Sequence, residues 1–240
     1  NPTNLCDYEF DVVSTCKIKG LPKKVTLKPG EFTATLSDLR VQTAGDFTVK
    51  FTNDVNNIAF ETNPIRIEEK PQSRHFWGDL HGQSEETIGT NSAEAYFKFA
   101  RDLAFVDVSG HQGNDFQITN DFWKYLDELC KKFNQDGKFI AIPGYEWSGN
   151  TGLGGDRNIY FPTEGRTLRR SSHALVSDHS DISTDCNSAT ELFSAFAEND
   201  ESDVVVYAHC GGRYADIELA HDGRFEKSME IHSSWGTFEW

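Results

Sequence analysis

The chain has no run of 18 apolar residues, so no segment is expected to span a membrane. No signal-peptide pattern is visible; localisation stays open, and a periplasmic or extracellular setting is compatible. Cations are scarce, with 23 Lys and Arg against 38 Asp and Glu and a formal charge of −15. That balance excludes a general DNA- or RNA-binding face, which needs basic residues to neutralise phosphates. A small anionic substrate held by a few local cations is not excluded. Metal-finger spacing is absent too: Cys6, Cys16, Cys130, Cys186 and Cys210 contain no CxxC pair. Cys6 and Cys16 flank an expected strand, where a disulfide in an exported protein and two ordinary thiols are both open. What is present is core material: 240 residues, 37% hydrophobic, with 18 Phe and 5 Trp, enough for one to two domains.

Two regions follow different patterns. Residues 1–70 contain no His. They read as short strands at 8–13, 24–27, 32–36, 46–51 and 58–61, mostly alternating apolar and polar residues. This predicts a small all-β, sandwich-like accessory domain with no chemistry of its own. Residues 71–240 hold all eight His and read as alternating strands and helices. Strands are expected at 75–80, 104–108, 138–142, 204–208 and 229–231. Asn91, Asn120 and Ser188 are expected to open helices; the first carries Tyr96, Phe99, Ala100 and Leu103 at helical spacing, the second Phe122, Leu126, Leu129 and Phe133. Repeated βα units predict an α/β fold with a parallel sheet and helices outside.

Potential metal ligands fall at the strand ends: Asp79 and His81, then His111, Glu146, His209, and finally Glu230 with His232. In α/β folds the carboxyl ends of strands converge on the active site. Imidazole with carboxylate suits Zn²⁺, Mn²⁺ or Fe. A lone His is more often a surface or satisfied core residue, and that reading is kept for His75, His173, His179 and His221. His81, His111 and His209 each follow an apolar run closely, which favours ligation. Glu146 lies between Tyr145 and Trp147, where an unpartnered carboxylate would be costly to desolvate. Asp79, Glu230 and His232 are evenly balanced between ligation and ordinary roles. The Gly-rich stretch 149–155 lacks the Lys-Ser/Thr ending of a P-loop. Arg157 and Arg213 are candidate anion clamps, with surface salt bridges as the alternative.

Trp77-Gly78-Asp79-Leu80-His81-Gly82-Gln83-Ser84 resembles the domain of unknown function numbered 3604, a bacterial group related to the polymerase-and-histidinol-phosphatase (PHP) superfamily. Further matches are Gly110-His111-Gln112-Gly113-Asn114-Asp115, Pro143-Gly144-Tyr145-Glu146-Trp147, Gly155-Asp156-Arg157-Asn158, Ala208-His209-Cys210 and Glu230-Ile231-His232. The resemblance implies a distorted, TIM-type (βα)₇ barrel with two or three divalent metal ions and phosphoester hydrolysis. It implies His81, His111, Glu146, His209 and Glu230 as ligands. Gln83 stands where the superfamily has a second His, and Asp156 or Asn158 replaces another. The superfamily's final Asp-x-His motif is not present, and five or six expected strands fall short of a closed barrel. The barrel is therefore expected to be incomplete in this chain, with a C-terminal remainder that could be a separate chain.

Together these readings predict a metal-dependent hydrolase, most simply a phosphoesterase acting on a small anionic substrate, without nucleic-acid or membrane partners. Asp79, His111, Arg157 and Arg213 would act in catalysis; Asp79, His81, Gln83, His111, Glu146, His209, Glu230 and His232 would hold metal. An amidohydrolase-like C–N or ester hydrolase and a binding module with a decayed site are the alternatives.

Overall fold

The structure, a computed structural model, describes residues 5–239. Its chain forms two compact units, one up to His75 and one from Phe76 onward.

The first unit contains β1 (Tyr8–Ser14), β2 (Lys24–Leu27), β3 (Gly45–Phe47), β4 (Val49–Asn53), β5 (Ile58–Glu61) and β6 (Ile65–Ile67). A four-stranded antiparallel sheet runs β2-β1-β4-β5, and β3 pairs separately with β6. Alternation buries Phe10 and Val12 of β1 with Val49 of β4. The Phe51 and Phe60 rings, paired across β4 and β5, stack with centroids 5.0 Å apart. The expected strand at 32–36 is irregular, and the expected strand at 46–51 is broken at Thr48. Thr48 turns its carbonyl to the Thr15 N–H and its own N–H to the Thr15 hydroxyl instead. Cys6 and Cys16 are both free thiols, so no disulfide joins them.

The second unit begins with β7 (Gly78–Gly82), α1 (Ala93–Asp102), β8 (Val108–His111), α2 (Asn120–Phe133) and β9 (Ile140–Ile142). These form a parallel three-stranded sheet, β7-β8-β9. Next come β10 (Gly144–Trp147), β11 (Arg157–Tyr160), α3 (Ala189–Glu198), β12 (Val205–Ala208) and β13 (Glu226–Met229). In that second sheet β10, β11 and β12 are antiparallel neighbours and only β12 and β13 run parallel. A hairpin of β14 (His232–Ser233) and β15 (Gly236–Thr237) completes the described elements.

This corrects the expected α/β barrel: among the described residues there are three α-helices and several small sheets, and no closed (βα)₇ TIM-type barrel, PHP-like or otherwise. The reason is connection length. Only residue 143 separates β9 from β10, and only 148–156 separate β10 from β11. A parallel return needs a crossover of about a dozen residues or more. The chain therefore folds back as the antiparallel pair β10 and β11, and β11 is a strand that the sequence reading does not place. No helix among the described residues is long and apolar enough to cross a membrane.

The helices follow their caps and apolar faces. Ser92, not Asn91, caps α1, accepting from the Ala95 N–H; Asn91 sits at φ +62° instead. The buried face of α1 is Ala93, Phe97 and Ala100, whereas Phe99 and Leu103 are exposed. In α2, capped by Thr119, the expected face of Phe122, Leu126, Leu129 and Phe133 is buried. Ser188 caps α3, and Glu191 accepts from the Asn187 N–H. Alternation in β10 sends Tyr145 and Trp147 into this core, where the Trp147 indole N–H donates to the Cys186 carbonyl at 2.9 Å. Glu146 points the other way, and this places the site.

Candidate metal centre

Four elements bring carboxylates and imidazoles to one wall. His81 comes from β7, Glu146 from β10, His209 from the end of β12 and Glu230 from the end of β13. Asp156 and Asn158 flank Arg157 on β11, so period-2 alternation aims both at Glu146 and Glu230 while Arg157 turns to the core. Gly155 makes the turn into this strand at φ +77°, with the Tyr214 carbonyl too close to admit a Cβ.

Glu230 is the bridge. One carboxylate oxygen lies 2.6 Å from His81 Nδ1, and the other pairs with His209 Nδ1. The Asn158 amide donates to Glu230 at 2.7 Å. The other ring nitrogen of His81 lies 3.2 Å from Glu146, to which Gln83 donates at 3.3 Å. Ser148, itself held by Asn114, donates to the remaining Glu146 oxygen. Asp156 is ion-paired with Arg213 at 3.1 Å, and the Arg213 guanidinium lies over the Phe116 ring.

Two groups of ligand atoms emerge, each with all atoms within 4.8 Å of one another: His81, His209 and Glu230, and Glu146, Asp156 and His209. They share His209 and line a cavity of about 610 Å³. Three features of the chain fit a cation. Glu146 and Asp156 are neighbouring buried carboxylates, a costly arrangement unless compensated. Among the described residues, Arg213 is the one guanidinium lining the cavity. The amide oxygens of Asn114 and Asn158 are buried without a hydrogen-bond partner. The nitrogen and oxygen donor set suits Zn²⁺, Mn²⁺ or Fe.

The electrostatics match this crowding. Burial, and then the charge of Glu146, push Asp156 well above the usual carboxylate range, against the pull of Arg213. Burial alone would lower His81, but its bonds to Glu146 and Glu230 outweigh that and raise it to about 9. Burial would raise Glu230; hydrogen bonds from His209 and His81 win and hold it at about 2.

The sequence candidates divide clearly. His81, Gln83, Glu146, His209, Glu230 and Arg213 line the cavity. His232 lines it too, but from the hairpin and outside both ligand groups. His111 does not reach the cluster. It is buried between the Ser84 hydroxyl, 2.8 Å from Nε2, and the Gly113 N–H, which donates to Nδ1. The ring packs on Phe122, and burial lowers it to about 4, so it stays neutral. Asp79 is exposed and accepts from the His81 N–H, outside both groups. Arg157 is no anion clamp: fully buried, it pairs with Glu226 at 3.1 Å and donates to the Gly154, Gly155 and Ala220 carbonyls. Asn114 lies inside a quoted motif and Ser148 directly after one, but neither was given a role, and Trp235 was not singled out at all. Ser148 had a usable signal, falling two residues after Glu146 on the same strand face.

Similar proteins are uncharacterized. The chain is 25% identical over 207 residues to an uncharacterized protein of Chlamydia pneumoniae, covering 85% of this chain and 32% of that one. A Chlamydia muridarum protein is 21% identical over 207 residues, covering 85% and 31%. A Chlamydia trachomatis protein is 26% identical over 115 residues, covering 47% and 18%. The chain thus spans about a third or less of the length of the curated relatives it matches. No solved structure gives a significant match. The family described as protein of unknown function (DUF3604) matches residues 55–213, and the chain belongs to it.

Proposed function

We propose that this protein is a metal-dependent hydrolase of small phosphoesters. The observation that carries the reading is the pair of ligand groups meeting at His209 on the wall of one cavity. When bound there, divalent ions of the Zn, Mn or Fe class supply Lewis acidity and acidify water. His81, His209 and Glu230 would hold one position, and Glu146, Asp156 and His209 a second. Before an ion binds, Glu230 bonds both imidazoles and so holds the three ligand groups together, and Asn158 fixes the Glu230 carboxylate. Arg213 is the cation placed to meet a phosphoryl oxygen, its guanidinium steadied by Asp156 and Phe116. The motif order resembling PHP phosphoesterases supports the same chemistry, although the described residues close no barrel.

The test is turnover of a panel of phosphomonoesters and phosphodiesters by the chain loaded with Mn²⁺ or Zn²⁺. Hydrolysis abolished by a chelator, restored by metal and lost in His209→Ala supports the reading. Turnover that survives His209→Ala, or none on any phosphoester by a chain that has taken up metal, overturns it.

A further inference from the structure

The cavity that holds the polar ligand groups is also lined by two large apolar side chains. Trp235 is 75% exposed and Ile88 is 58% exposed, and both line the same cavity as the ligand groups. An indole left in water beside a charged cluster is a poor choice for a fold and a good one for a binding wall.

The backbone holds Trp235 there. It sits in the turn between β14 and β15, where its N–H donates to the Ser233 hydroxyl at 3.1 Å. The Cys210 thiol faces the Gly236 carbonyl at 3.4 Å, tying the hairpin to the segment after His209. Gly211 permits that contact: a Cβ there would lie 2.5 Å from Trp235 Cβ and 2.7 Å from the Ser233 hydroxyl. The indole is thus tied by backbone to the residues next to ligand His209.

We infer that Trp235, with Ile88, recognises a planar ring on the non-reacting part of the substrate, so that the site takes aryl or heteroaryl phosphoesters. The inference rests on the hydrolase reading for its chemistry, but not for its binding test. Ring stacking on an indole is worth roughly three- to tenfold in affinity.

The experiment compares phenyl phosphate, butyl phosphate and a hexose phosphate as substrates of the Mn²⁺-loaded chain, in the natural sequence, Trp235→Ala and Trp235→Phe. In parallel, calorimetry measures binding of phenylphosphonate and butylphosphonate, which need no turnover. The expected result is that Trp235→Ala weakens the phenyl compounds roughly three- to tenfold more than the butyl compounds. Trp235→Phe should recover most of that difference. Equal losses for phenyl and butyl compounds, or a preference for the hexose phosphate, would overturn the inference. If no compound turns over, the hydrolase reading fails by itself; phenylphosphonate still decides the ring site, and no preference over butylphosphonate sinks it.

Discussion

Metal uptake by this cluster should be strongly linked to pH. His81 holds its proton up to about 9 because Glu146 and Glu230 face its two ring nitrogens. A ligating imidazole must release the proton at its metal-binding nitrogen. With a pKa of about 9, roughly one His81 in a hundred is proton-free at pH 7. The apparent affinity of the His81, His209 and Glu230 group should therefore rise about tenfold per pH unit from pH 7 to 9, a gain of about 3 kcal/mol, and then flatten. Asp156, held above the usual carboxylate range, must give up its proton before the second group, Glu146, Asp156 and His209, can bind an ion, so the affinity of that group should rise with pH as well. Calorimetric titration of Mn²⁺ into metal-free protein, repeated in buffers of different ionisation enthalpy, reads both affinity and protons released. At pH 7 about one proton or more should leave per ion bound. An affinity flat from pH 7 to 9 with no proton release would refute the reasoning that these carboxylates hold the proton on His81.

Other expectations follow from the same contacts. The metal-free fold should lose stability as pH rises through about 9, because the contribution from the raised His81 is fully present only below its unfolded value near 6.5; thermal melts across pH 7–10 test this. Glu230 acts at the other end. Its depressed carboxyl stabilises the fold above about 4.5, and that contribution should fade as pH falls towards 2 in the same melts. Glu230→Gln should keep the fold but weaken metal binding by about 10- to 100-fold, measured by competition with a chromophoric chelator. His111→Ala should cost about 2–3 kcal/mol in denaturant unfolding while leaving metal stoichiometry unchanged, since the ring touches Ser84, Gly113 and Phe122 rather than the cluster. Arg157→Met should destabilise by about 3–5 kcal/mol, because it leaves the buried Glu226 carboxylate with His221 as its remaining charged partner and removes the donors to the Gly154, Gly155 and Ala220 carbonyls; a loss below about 1 kcal/mol would contradict a structural role.

His81, Glu146, His209 and Glu230 could be picked out as candidates because each lies inside, or directly after, a short strand. His111 was misread by a register error. The expected strand at 104–108 is in fact Val108–His111, so His111 lies within β8 and its ring faces the α2 side, against Phe122. Arg157 was misread for want of a period-2 argument: Asp156 and Asn158 take the cavity face, and Arg157 must take the other. The architecture was harder. Local patterns mark strands and helices but not which strands pair, and the short 148–156 connection, which forces β10 and β11 antiparallel, showed only as a Gly-rich stretch without a P-loop ending. Trp235 carried no pattern at all; its role comes from a hairpin docked on the segment after His209.

The central claim is that the His81, Glu146, Asp156, His209 and Glu230 cluster holds metal. Elemental mass spectrometry on protein purified without chelators or immobilised metal, in the natural sequence and in His209→Ala, tests it most directly. The account predicts at least one equivalent of Zn, Mn or Fe per chain, lost in His209→Ala because that residue belongs to both ligand groups. A folded natural chain that stays metal-free after dialysis against these ions, or a His209→Ala variant that keeps its full metal, would contradict it.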